Sequence, residues 1–150
     1  MERWLSRYSE YIYSITRIVA GALFAMHGAQ KLFGVLGGQA QTGNTMMLTA
    51  GIIEFVGGLF IALGVWAGYA GFIASGEMAV AYFISHASKG GTPLENRGEL
   101  AVIYCFLFLY IASKGSGLLS LDSLMGRLVP RKVERRAAVV ARREELPYPR

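Results

Sequence analysis

The chain has 150 residues, of which 53% are hydrophobic, with a mean hydropathy of +0.39 and a formal net charge of +5. Its apolar residues fall in long blocks and not at amphipathic spacing, which excludes an ordinary soluble domain built on a single core. Cys105 is the only cysteine, so neither an internal disulfide nor a dithiol redox pair can form, and it reads as a small apolar packing residue.

A membrane-spanning helix needs about 20 mainly apolar residues. The first such segment covers residues 12–33. It carries Arg17 within the apolar stretch, ends at Lys31 and lacks a small-residue cleavage site, so it is not a cleavable signal peptide. Residues 46–87 form a second block whose only charges before His86 are Glu54 and Glu77. As a helix this block would measure roughly 60 Å, twice the hydrocarbon thickness, so it must fold back once. The turn is expected at residues 64–69, where Gly64 and Gly68 loosen the backbone and Trp66 and Tyr69 suit a membrane interface. A last, shorter segment covers residues 98–113. The expectation is an all-α fold, a polytopic bundle of four transmembrane helices over 12–33, 46–63, 69–87 and 98–113. Small residues mark the close-packing faces: Gly21, Ala25, Gly28 and Ala29 in the first helix, and Gly51, Gly57 and Gly58 in the second.

Charge gives the orientation. Residues 127–150 hold eight Lys/Arg against three acids, while the rest of the chain is balanced at seven of each. The positive-inside rule therefore places the C-terminus in the cytoplasm, and an even number of spans places the N-terminus there as well, in the plasma (inner) membrane. The uncharged loop 35–45 suits the opposite side. The chain accordingly divides into a transmembrane domain, 1–126, and a basic tail, 127–150. After Pro130 the tail can form an amphipathic helix with Val133, Ala137, Val140 and Ala141 on one face and Arg135, Arg136, Arg142 and Arg143 on the other. It is either a solvated topology determinant, a ligand for anionic lipid, or a grip on an acidic partner protein. No recognition module for nucleic acid accompanies it.

Ionisable groups inside a bilayer are costly and normally face a bundle interior or a cavity. Four are present: Arg17, His27, Glu54 and Glu77. At 100° per residue Arg17, Gly21, Phe24, Gly28 and Lys31 share one stripe, with His27 beside Lys31. Glu54 shares a face with Ala50, Gly51, Gly57 and Gly58, and Glu77 lies among Ala70, Ala74 and Ala81. Projected depth pairs Arg17 with Glu77 and His27 with Glu54. Such a network either fixes helix register or lines a site for a quinone headgroup, a proton or a small anion. A haem between His27 and His86 is disfavoured, because His86 lies at a helix end about 180° round from Glu77. Two histidines with scattered carboxylates likewise give no metal site.

The run from Arg17 through His27-Gly28 and Lys31 to Gly34 resembles the opening helix of the DoxX family. Glu54-Phe-Val-Gly57-Gly58 with Gly64 is similar to that family's second helix. Gly98-Glu99 and the closing run Gly115-Ser-Gly117-Leu-Leu-Ser120-Leu-Asp122 follow in the family's order. The resemblance covers residues 17–122 and implies a four-helix membrane bundle. It also implies redox partners, since the wider DoxX and DoxD group includes a membrane subunit of thiosulfate:quinone oxidoreductase, and other members are linked to redox-stress complexes. The chain carries no cofactor motif, so a quinone or another subunit would supply any redox chemistry. The function expected is that of an integral membrane subunit of a quinone-linked complex, oxidising sulfur compounds or answering redox stress. The alternative is a non-enzymatic anchor or accessory subunit with a structural polar network; a small transporter comes third. Glu99 is either a helix-start residue or part of the site, and Ser120 or Asp122 is a cap sooner than a catalytic group.

Overall fold

The computed structural model of the protein describes residues 2–126; the expected basic tail lies outside them. A short helix α1 (Glu2–Ser6) leads into α2 (Ser9–Phe33), which stops at Gly34 in the left-handed region, φ 65°. The Gly34 N–H caps the Gln30 carbonyl there. After the uncharged loop, the Asn44 side chain accepts hydrogen bonds from the Met46 and Met47 N–H groups and starts α3 (Thr45–Ile52). A π-helical turn, Ile53–Gly57, joins α3 to α4 (Gly58–Leu63) in one continuous rod. Gly64 at φ 69° and Trp66 at φ 47° reverse the chain into α5 (Ala67–Ser85). The turn is thus tighter than 64–69. A 3₁₀ turn, Ala87–Lys89, and a loop lead to α6 (Glu99–Lys114), and α7 (Leu121–Met125) closes the described chain.

No strand occurs among the described residues. Four rods surround one core: α2 packs on the α3–α4 rod, α5 on α4 and the π turn, and α6 along α5. Aromatic contacts close the ring, with the Phe24 ring 4.6 Å from Phe108 and 5.8 Å from Tyr104. Phe24, Ile61, Phe108 and Ile111 are essentially inaccessible. Side chains elsewhere on the rods, such as Phe72, Ile73, Phe83 and Phe106, are exposed, an inversion that suits lipid as the surrounding solvent. Ser9–Phe33, Thr45–Leu63 and Ala67–Lys89 are long and apolar enough to cross a membrane. At 16 residues α6 is shorter than these three.

Two glycine pairs explain why α2 and the second rod lie so close. A Cβ on Gly21 would sit 2.7 Å from the Gly58 carbonyl oxygen, one on Gly58 would sit 2.7 Å from that of Gly21, and one on Gly28 would sit 2.7 Å from that of Gly51. Backbones at this distance pack by dispersion and Cα–H···O contact, which lipid cannot replace. Gly57 corrects the expectation that it shares this face, for nothing lies within 4 Å of its missing side chain. The π turn adds a residue to the rod and re-phases the positions around it.

Candidate functional site

Lys31 stands in the last turn of α2 and Glu54 in the π turn one helical layer deeper. Side chains on a helix lean toward its N-terminus, so the Lys31 stem runs inward along the bundle. Its Nζ meets Glu54 Oε1 at 2.6 Å, with the Glu54 side chain 4% exposed. Glu77, on α5, lies within electrostatic range of both groups. Glu54 Oε2 and Glu77 Oε2 are buried and accept no hydrogen bond among the described residues.

Lys31 and Glu77 border a cavity of about 660 Å³, and Glu54 lies behind its lining. It exists because α5 packs against α4 and the π turn but diverges from α3. Met46, Met47 and Ile53 form one wall, and Ile73, Val80 and Ile84 the other, with Lys31 and Glu77 the only charges on the lining among the described residues. Met46, Ile73, Val80 and Ile84 also belong to the exposed apolar surface, so the cleft opens sideways through the band that meets lipid. It is an apolar slot with a charged floor, a common form of small-molecule site.

The second polar cluster lies at the other end of α2. Arg17 is fully buried. Its Nη1 donates to the Ile61 and Ala62 carbonyls, at the negative end of α4, and its Nη2 donates to the Leu119 carbonyl. Asp122 adds an opposite charge nearby, while its Oδ2 accepts from the Trp66 N–H at 2.8 Å and from Ser116 Oγ at 2.7 Å. Ser120 caps α7 through the Ser123 N–H. The glycine-rich closing run therefore folds over the 64–66 turn, and Arg17 ties three distant segments together. Beside it Glu10 Oε1 and Lys114 Nζ pair at 2.8 Å.

Both expected pairs are thereby corrected. Arg17 meets backbone carbonyls and not Glu77, which sits in the other cluster. Glu54 takes Lys31 and not His27. His27 is exposed on the outer surface of α2, and among the described residues it makes no hydrogen bond or ion pair. Glu99 stands exposed at the start of α6, outside both clusters. His86 is turned onto the loop, 3.1 Å from the Asn96 carbonyl and stacked on Tyr82. Two residues escaped the sequence reading. Asn96, 3% exposed, donates to Tyr82 and Gly90 and accepts from the Gly98 N–H; its place between glycines and a Thr-Pro turn was the available signal. Ser14, wholly buried, bridges the Glu10 carbonyl and the Leu119 N–H, and no local pattern marks it.

The family model of DoxX matches residues 12–87, the stretch that holds α2, the α3–α4 rod and α5. The chain belongs to the DoxX family. An uncharacterised protein of Haemophilus influenzae is 41% identical over 126 residues, covering 79% of this chain and 94% of its own length. No solved structure matches the chain. Family membership, together with helices of spanning length and apolarity, makes this DoxX protein a membrane protein.

Proposed function

We propose that the protein is an integral membrane subunit of a quinone-linked redox complex, and that the cleft between α3 and α5 takes the quinone headgroup. The supporting observation is a lipid-level apolar slot of about 660 Å³ whose floor carries Lys31, paired to Glu54, and the half-buried Glu77. A flat headgroup with carbonyl acceptors matches that floor, while its isoprenoid tail stays in the bilayer. The Lys31 ammonium has donors left after its bond to Glu54 and would hold a quinone oxygen. The quinone accepts or gives the electrons, and a partner subunit supplies or removes them. We place the protein in the plasma (inner) membrane with four spans, α6 being the fourth, and both termini cytoplasmic. The cleft then faces the outer half of the bilayer, and the basic tail meets anionic lipid or a partner. The second reading, a non-catalytic accessory subunit, draws support from Arg17, whose bonds all serve to tie segments together.

A photoreactive azidoquinone added to membranes holding the protein separates the two. The quinone reading expects cross-links within residues 46–53 or 73–85, competed by unlabelled quinone. It also expects about tenfold weaker labelling in a folded Lys31→Met variant, the worth of one charge-assisted bond. Labelling spread evenly over the exposed apolar surface would favour the accessory reading.

A further inference from the structure

Resting on the quinone reading, we infer that Gly76 is a specificity-determining residue of the cleft: its missing side chain leaves a notch in the α5 wall, level with the charged floor, in which an edge of the quinone ring is seated. Gly76 stands in the middle of α5, and no helix contact accounts for it. Glycine inside a helix costs stability relative to alanine, so the position calls for a reason. Gly71 has one, since a Cβ there would sit 2.9 Å from the Phe108 carbonyl oxygen on α6. Around the missing Cβ of Gly76 nothing lies within 4 Å among the described residues.

That empty position opens onto the cleft. Gly76 belongs to the lining, between Ile73 and Val80 one turn to either side, and both of these are exposed apolar side chains of the rim. Bare backbone between two branched side chains makes a notch. Its depth follows from the chain. Gly76 and Glu54 stand equally far in sequence from Val65, at the centre of the reversal, and α5 packs against the π turn that carries Glu54. Two antiparallel rods rising equally from one turn bring these residues to a similar level. The notch therefore lies level with Glu54 and the Lys31 ammonium bonded to it, and it adjoins Glu77.

A headgroup entering from the bilayer must cross the rim to reach Lys31, because the slot opens sideways. Ile73, Val80 and Ile84 fill the α5 side above and below. At Gly76 alone on that side the ring can lie against helix backbone, gaining dispersion contact that a Cβ would hold away. The width of headgroup that the floor admits is thus set at this residue. Gly57 has equally open surroundings but does not line the cleft, which makes it the matched control.

Equilibrium binding of decylubiquinone to the full-length protein in detergent, with thermal unfolding recorded on the same ligand-free samples, tests the inference. Gly76→Ala should bind about tenfold more weakly and Gly76→Leu about a hundredfold, the span that extra methylenes cost in a fitted pocket. Over the same series the unfolding midpoint of Gly76→Ala should equal or exceed that of the wild type, since alanine is the better helix former and meets no neighbour. Affinity and stability then move in opposite directions, which a merely structural glycine does not produce. Gly57→Ala should bind as the wild type does. If Gly76→Leu does not fold, Gly76→Ala decides alone. Wild-type affinity in the folded Gly76 variants, a lowered midpoint in Gly76→Ala, or an equal loss of binding in Gly57→Ala overturns this inference and leaves the quinone reading standing. Failure of the wild type to bind decylubiquinone overturns both.

Discussion

Removing the Lys31 ammonium isolates what the charged floor of the cleft contributes. Lys31→Met keeps the length of the stem and deletes the charge, leaving both Glu54 oxygens without a partner at 4% exposure. Breaking a buried ion pair from one side costs about 3–5 kcal/mol. The Lys31 side chain retains 27% exposure, so the cost falls toward the lower end of that range, about 3 kcal/mol. Glu54→Leu should cost less, about 1–2 kcal/mol, because a lysine at a helix end can redirect its ammonium to the interface. The double variant removes both members of the pair and should lie near wild type, giving a coupling of at least about 2 kcal/mol. Reversible unfolding in mixed detergent–SDS micelles measures all four corners of the cycle. Additivity within about 0.5 kcal/mol would show that the two residues do not form an energetic pair, and the reasoning about the site would fail with it.

Adjacent glycines should respond in opposite ways. Gly58→Ala drives a methyl into the α2 backbone and should lower stability by about 1–3 kcal/mol, whereas Gly57→Ala points into open space and should stay within about 0.5 kcal/mol, both read by the same unfolding assay. Arg17→Lys replaces a fork that reaches three carbonyls on two segments by a single ammonium, and should cost about 2–3 kcal/mol. Asp122→Asn keeps an acceptor for the Trp66 N–H and should cost under about half as much; equal losses would make Asp122 the dominant partner. With Cys105 replaced by Ala, cysteines placed at Gln41 and at Arg142 should label from opposite sides of the membrane. Labelling from one side removes the four-span topology.

Much of the architecture is written locally. Hydropathy sets the rods to within a few residues, because the bilayer asks only for length and apolarity, and Gly64 marks the reversal because a left-handed residue is needed there. The 100° period finds the stripe of Gly21, Gly28 and Lys31 that faces the second rod, and Ser120 reads as a cap from its neighbours alone. What periodicity cannot state is which rods adjoin and at what level. Arg17 and Glu77 project to compatible depths, yet α2 and α5 stand across the bundle and the two residues belong to opposite clusters. Arg17 finds its partners in carbonyls, which carry no residue-type signal. His27 and Lys31 border one another on the helical wheel, and only the packing of the second rod turns Lys31 inward and leaves His27 outside. The π turn is likewise absent from any pattern of residue types. It sets the phase of the second rod and places Glu54 against Lys31. Composition and period act along one helix, while a site between helices depends on three rods settling at once.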